Sequence, residues 1–277
     1  MIKAFINQTR SLISRSDISL IIPSSIPVEN NEDGTRTHNI YLSDHYNSAQ
    51  ISNNFILNVL MFFSMLDAYV DNKYPALVGG NFARKLRRMP KVSISEIVLR
   101  EVYRIYKVIR NATIHNAGSI DIDEKGNIFI QYRFNDTKYD LEITPKGLQL
   151  LNSITFEFIS PFESRSTKYS DALRVSLLTD LRKEIKKFND ENNSLDHVIS
   201  NNLSFKYGRR YRPQPVRIDW SGNKLTIQNP HELHPIEASF SGVDYEIING
   251  DNKYLVPSEA LINNSISLEQ LSVWKLS

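Results

Sequence analysis

The stretch SISEIVLREVYRIYKVIRNATIHN, residues 93–116, predicts a long amphipathic helix, because its apolar residues recur every three or four positions. The residues that form this stripe are Ile94, Val98, Val102, Ile105, Ile109 and Ala112. Ser93 or Ser95 is the expected N-cap, and Gly118 is the expected C-terminal stop. The C-terminal end of this helix holds Arg110 and His115, which are five positions apart.

Three further stretches predict helices. From Ser48 to about Asp71 the apolar residues keep a helical period, and Ser48 is the expected N-cap. Residues 144–159 predict a helix with Thr144 as its cap and Pro145 at its first position. Residues 170–189, SDALRVSLLTDLRKEIKKFN, predict an amphipathic helix with one apolar face: Leu173, Leu177, Leu181, Ile185 and Phe188.

Strand patterns stand in two other parts of the chain. Runs of β-branched and aromatic residues separated by turn residues predict a β-hairpin at about 119–143. Beyond DENNS, residues 190–194, short β-like runs such as VDYEII and KYLVP replace the helical pattern. The sequence thus predicts an α+β protein with an N-terminal extension at 1–43, a helical domain at 44–189 and a small β-rich domain at 195–277.

Composition removes several classes of function. The chain has 277 residues and no cysteine, which excludes disulfides, a thiolate nucleophile and a Cys-ligated metal. The net charge of +2 neither requires nor excludes an anionic partner. Polar residues interrupt both the N-terminus and the apolar run FILNVLMFFSML (55–66), so we expect neither a secretory signal nor a membrane span. A cytoplasmic location is the matching expectation.

The spacing of Arg110 and His115 poses a geometric problem. Five residues of an ideal helix rotate by about 500°, so the two side chains would point roughly 140° apart. If two such helices meet at a two-fold axis, side chains of both copies can converge on one cleft. An alternative is that both residues simply complement the negative C-terminal end of the helix dipole.

The motif RNATIH, residues 110–115, resembles the R-x4-6-H motif of the HEPN superfamily. The resemblance covers about residues 44–162 and includes an acidic residue in SMLDAY, residues 64–69, of an earlier helix. It implies a HEPN-like α-helical bundle with an inserted β-hairpin, and such domains dimerise and commonly act as metal-independent RNases. It also implies a setting in toxin–antitoxin systems or antiviral defence, with a possible antitoxin or other neutralising protein as partner.

The resemblance assigns a role to each residue of the motif. Arg110 would neutralise the scissile phosphate, His115 would move a proton and Asn111 would help to position the RNA. The chemistry agrees, because RNA supplies its own 2′-OH nucleophile and needs proton transfer and charge stabilisation rather than a metal. We therefore expect no cofactor and no metal. Asp67 is the expected auxiliary residue that holds Arg110 in place, and Asp71 is a competing candidate.

Two basic clusters are candidate RNA-binding segments, because cations attract phosphate and tyrosine with arginine stacks on unpaired bases. The first, RKLRRMPK at 84–91, contains Arg84, Lys85, Arg87 and Arg88. The second, KYGRRYRPQ at 206–214, contains Tyr207, Arg209, Arg210, Tyr211 and Arg212. Ordinary solvated surface is the alternative interpretation of both clusters.

Two other functions stay open at this stage. One is a non-catalytic HEPN-type module that binds RNA or protein and keeps the motif as an element of its dimer interface. The other is a metal-dependent hydrolase built on His231 and His234 of HELH, with His197 as a distant third ligand. Prolines on both sides of HELH favour a loop and argue against the second of these functions.

Overall fold

The structure is a computed structural model that describes most of the chain. The described residues are 2–16, 18, 20–21, 24–31, 34–37, 54–115, 119–159, 165–193, 195, 203–228 and 240–276. They confirm a mixed α+β protein rather than a clear helical bundle. The described residues divide into two compact units, and each unit is built differently.

The first unit draws its residues from Met1–Leu20, Ser43–Ser160 and Leu177–Ser200. Its helices are α1 (Ile2–Ser14), α2 (Phe55–Lys73), α3 (Phe82–Arg88), α4 (Ile94–His115), α5 (Pro145–Ile159) and the second half of α6 (Thr167–Glu184). Helix α2 packs against α1, α4 and α5. The predicted stripe of α4 is buried in this core, since Val98, Val102, Ile105 and Ile109 are fully inaccessible.

The helix boundaries agree in part with the predictions. Ser93 caps α4 as predicted: its hydroxyl accepts a hydrogen bond from the backbone N–H of Glu96, and the Glu96 carboxylate accepts one from the backbone N–H of Ser93. Thr144 caps α5 as predicted, because its hydroxyl accepts the N–H of Gly147. Helix α2 begins later than predicted, since Asn54 is its N-cap. The expected caps Ser48 and Gly118 lie outside the described residues.

The predicted hairpin belongs to a four-stranded antiparallel sheet in the first unit. Its strands are β3 (Ile120–Ile122), β4 (Ile128–Phe134), β5 (Thr137–Ile143) and β6 (Ile185–Asn189), in that order. The prediction of a helix through residue 189 is therefore wrong. Helix α6 ends at Glu184, and the next five residues form β6, which pairs with β5 and places Phe188 opposite Leu141.

The second unit draws its residues from Ile21–Leu42, Pro161–Ser176 and Asn201–Ser277. Its five-stranded sheet has the order β11 (Asn252–Pro257), β10 (Gly242–Asn249), β7 (Arg209–Gln214), β1 (Ser24–Asn31) and β2 (Gly34–Thr37). A three-stranded sheet contains β12 (Ser265–Ser267), β9 (Lys224–Ile227) and β8 (Ile218–Ser221), and a short helix α7 spans Leu268–Ser272. The β-like runs predicted beyond residue 194 do form strands.

The two units differ from the three contiguous segments that the sequence predicts. Strand β1 pairs in parallel with β7, so part of the predicted N-terminal extension belongs to the same sheet as the C-terminal strands. The division also falls inside α6. The predicted linker at 190–194 is not a free connection, because the side chain of Asp190 is fully buried against Arg104 of α4.

Helix α2 is the one helix of the described chain that is long and apolar enough to cross a membrane by length and composition. Its face with Val59, Phe62, Met65 and Leu66 is fully buried in the first unit. A core helix of a protein without membrane spans passes the same test, and the packing of α2 against three helices is typical of one.

Candidate active site

Helix α4 places the whole predicted motif in its final two turns. Ile109 and Ala112 are fully buried, which fixes the rotation of the helix at this end. Arg110 and Asn111 are half-buried, and His115 is exposed. The motif therefore lies where the buried helix emerges at the surface of the first unit.

Arg110 and His115 meet within a single chain. Nη1 of Arg110 lies 3.2 Å from Nε2 of His115. Arginine has only N–H donors, so Nε2 of His115 is the acceptor in this contact. The two side chains thus meet without a second copy, because the long arginine side chain reaches around the helix to its own His115, and the dimer stays a prediction.

Two neighbours support the Arg110 guanidinium. Its Cζ lies 4.5 Å from the centre of the Phe82 ring, a cation–π contact. The Phe82 ring in turn packs edge-on against Phe63, at 4.9 Å between centroids. Nη1 also donates to Oδ1 of Asn111 at 3.2 Å. Burial lowers the pKa of Arg110, and the negative charge of Asp67 opposes that shift.

Asp67 has other partners than the predicted one. Its two carboxylate oxygens each accept a hydrogen bond of 2.9 Å from Lys85 Nζ, and Tyr103 donates to its Oδ1 at 2.6 Å. Within the described residues Asp67 therefore acts on Arg110 through its charge and not through a hydrogen bond. The competing candidate, Asp71, forms an ion pair of 2.6 Å with the same Lys85.

Tyr103 connects the acidic cluster to the core of α4. Its side chain is fully buried, and its ring lies 5.5 Å from that of Phe63. Burial raises the pKa of Tyr103 well above its ordinary value, and the neighbouring Asp67 raises it further. The phenol therefore stays protonated and donates to Asp67 throughout the physiological range.

The first basic cluster is divided between core and surface. Arg84, Arg87 and Arg88 of α3 are exposed, as is Lys91 after the helix. Lys85 is only 3% exposed and is enclosed by Asp67 and Asp71. The prediction that Lys85 contacts RNA is therefore corrected: its charge anchors α3 to α2, since a buried ammonium group needs carboxylate partners.

The prediction that the second basic cluster binds RNA needs a larger correction, because most of this cluster forms strand β7 of the second unit. Arg210 and Tyr211 are fully buried. Arg210 donates to Asp244 at 2.9 Å and binds both oxygens of Glu259 at 2.8 Å. Neither Arg210 nor Tyr211 is available to RNA in this fold.

The other members of the second cluster keep some access to solvent. Arg209 is exposed and lies over the Phe240 ring at 5.1 Å. Tyr207 and Arg212 are half-buried, and Arg212 pairs with Glu246 at 3.4 Å. The cluster is mainly part of a folded sheet rather than a loop of solvated cations.

Sequence reasoning missed a second charged network that anchors α4. Arg104 is fully buried between Glu101, at 2.9 Å, and Asp190, at 2.7 Å. Lys107 binds Glu191 one helical turn further on. The signal was present in the sequence, because Glu101, Arg104 and Lys107 follow one another at intervals of three on a helix whose neighbouring positions are apolar.

Metal ligation receives no support in the described part of the chain. No group of three or more His, Asp or Glu side chains is arranged there to hold an ion. His197, His231 and His234, which carried the metal-dependent alternative, lie outside the described residues.

The chain matches no protein-family model, no curated protein and no solved structure. Any functional conclusion therefore depends on the geometry of the site and on its chemistry.

Proposed function

We propose that this chain is a metal-independent endoribonuclease of HEPN type that cleaves single-stranded RNA. The observation that supports the proposal is the contact of 3.2 Å between Arg110 Nη1 and His115 Nε2 at the exposed end of α4. A cation and an imidazole side by side supply the charge stabilisation and the proton transfer that phosphate cleavage by a 2′-OH requires.

The proposed reaction uses the RNA's own nucleophile. His115 accepts the 2′-OH proton at Nε2, and the 2′-oxygen forms a bond to the adjacent phosphorus. Arg110 turns from His115 to the phosphate and stabilises the charge that develops on its oxygens. The bond from phosphorus to the 5′-oxygen breaks, and that oxygen takes the proton that His115 accepted from the 2′-OH. The products are a 2′,3′-cyclic phosphate and a 5′-OH.

The biological setting is proposed on the resemblance of RNATIH to the HEPN motif. The first unit is a HEPN-like domain that forms a homodimer in the cytoplasm. The enzyme acts in a toxin–antitoxin system or in antiviral defence, and a neutralising protein controls it. The exposed Arg84, Arg87 and Arg88 attract the phosphates of the RNA backbone. They lie on α3, the helix that also carries Phe82, whose ring contacts Arg110, and this position favours binding of RNA close to the proposed site of cleavage.

A second candidate is a non-catalytic HEPN-type dimer module that binds RNA or protein. One observation favours it: Arg110 is already engaged by Phe82, Asn111 and His115 of its own chain. In such a module these contacts stabilise the C-terminal end of α4, and RNA is not cleaved.

The two candidates differ in their action on a matched pair of substrates. In EDTA, the enzyme cleaves a mixed single-stranded RNA and leaves cyclic-phosphate ends, whereas the 2′-deoxy strand of the same sequence stays intact. A binding module leaves both strands intact. Equal cleavage of both strands would contradict the proposed reaction, because the deoxy strand lacks the nucleophile.

A further inference from the structure

A concave site lies in the first unit, formed mainly by residues of α2, α5 and the β3–β4 hairpin. Its volume is about 470 Å³, which is within the range of sites for small molecules. Its walls are mainly apolar and include Ile18, Phe55, Ile122, Ile128 and Leu148. None of the residues proposed for RNA cleavage lines it.

Two asparagines give this cavity a polar end. Asn58 of α2 and Asn152 of α5 both line it, although they are only 6% and 2% exposed. A buried amide is costly unless its polar atoms find partners, so a pair of asparagines is an unusual component of an apolar wall. The pair therefore needs an explanation beyond packing.

A directional chain of hydrogen bonds fixes what the pair presents. The Tyr106 hydroxyl donates to Oδ1 of Asn152 at 2.5 Å, and Nδ2 of Asn152 donates to Oδ1 of Asn58 at 3.1 Å. Burial raises the pKa of Tyr106 far above its ordinary value, so its phenol remains a donor. The Nδ2 group of Asn58 stands at the end of the chain, with no acceptor among the described residues, and can donate to a group in the cavity.

We propose that this cavity binds a small, mainly apolar molecule that carries one hydrogen-bond acceptor such as a carbonyl oxygen. The acceptor meets Nδ2 of Asn58, and the apolar body packs against the walls around Phe55 and Leu148. Binding at this site does not depend on the proposed ribonuclease activity, and a binding measurement tests it without any RNA.

A matched pair of probes tests the acceptor directly. Acetophenone and ethylbenzene have similar size, but acetophenone alone has a carbonyl. Each is titrated to about 1 mM against the full chain, and the amide resonances of Leu148 and Asn152 are followed by NMR. We expect acetophenone to bind about fivefold more tightly, which corresponds to one net hydrogen bond. Absence of shifts with both probes, or equal affinity for both, would overturn the proposal.

Two variants locate the interaction. Asn58→Asp keeps an acceptor for Asn152 but replaces the donor, so we expect the preference for acetophenone to disappear; an unchanged preference would overturn the proposal. Leu148→Trp fills the cavity and should abolish binding of both probes, with Ile248→Trp on the exposed side of the second unit as control. If Asn58→Asp does not fold, Leu148→Trp decides, and retained binding of acetophenone would overturn the site.

Discussion

The ammonium group of Lys85 lies 2.9 Å from both carboxylate oxygens of Asp67. This pair fastens the short helix α3 to α2, and α3 carries Phe82, whose ring supports the guanidinium of Arg110. A lysine that looks like part of a surface cluster in the sequence is therefore an internal support of the candidate active site.

Replacement of Lys85 tests this anchor. In Lys85→Met the carboxylates of Asp67 and Asp71 lose their shared cation, so we expect the free energy of unfolding to fall by about 3 kcal/mol. Lys91→Met, at an exposed position of the same basic cluster, should change it by less than about 0.5 kcal/mol. Urea unfolding measures both variants, and equal small effects would show that Lys85 is not an anchor.

The ring of Phe82 can be tested separately from the helix that carries it. Phe82→Leu keeps an apolar contact with Phe63 but removes the aromatic face beneath Arg110, whereas Phe82→Tyr keeps that face. We expect the leucine variant to cleave RNA about tenfold more slowly, because Arg110 is less well oriented. The tyrosine variant should remain close to wild type. Equal rates for both variants would remove Phe82 from the account.

Gly147 of α5 is fixed by a close contact. A Cβ atom at this position would lie 2.6 Å from Cγ1 of Ile143 and 3.0 Å from Cβ of Glu184. Gly147→Ala should therefore destabilise the protein by about 1–3 kcal/mol, although alanine normally favours a helix. Lys146→Ala at the exposed neighbouring position is the control. A gain of stability in Gly147→Ala, seen as a higher melting temperature, would contradict the close contact of Gly147 with Ile143 and Glu184.

The buried pair of Arg210 and Glu259 predicts an acid-sensitive second unit. Burial alone would raise the pKa of Glu259, but the hydrogen bonds and charge of Arg210 outweigh it and lower the pKa below the ordinary value of 4.5. The unfolded chain therefore binds this proton more tightly than the folded one. The stabilisation is complete above pH 4.5 and is lost as the pH falls further.

Glu259→Gln provides the matching measurement. The wild type should lose more stability than this variant between about pH 6 and pH 3 in urea unfolding, because glutamine has no proton to gain. Parallel losses in the two proteins would show that Glu259 does not contribute to the acid response.

The long helices could be predicted because the apolar positions that repeat along the sequence are the positions that the fold buries. The stripe is buried as expected from Val98 to Ala112, and Thr144 caps α5. The end of α6 could not be predicted, because Ile185 and Phe188 continue the helical spacing. Strand β5 decides their structure by offering an edge for pairing, which is a tertiary effect that local pattern does not contain.

The candidate site was partly predictable for a similar reason. The motif itself is contiguous in sequence, so Arg110, Asn111 and His115 could be found. The carboxylate partners of Lys85 and Arg210 lie outside the basic clusters that contain these two residues. The sequence of a basic cluster therefore does not show which of its cations is buried. Phe82 has no signature of its own, since its role depends on where α3 packs.

The central claim is that Arg110 and His115 act together in cleavage. Its most direct test is the rate of single-stranded RNA cleavage in EDTA by wild type, Arg110→Ala, His115→Ala and the double variant, each shown to be folded, with Arg133→Ala of β4 as an exposed control. The account predicts that each single variant loses at least about a hundredfold in rate, and that the double variant loses little more, because the two groups act as one unit. Wild-type rates in both single variants, or no cleavage by folded wild type, would contradict it.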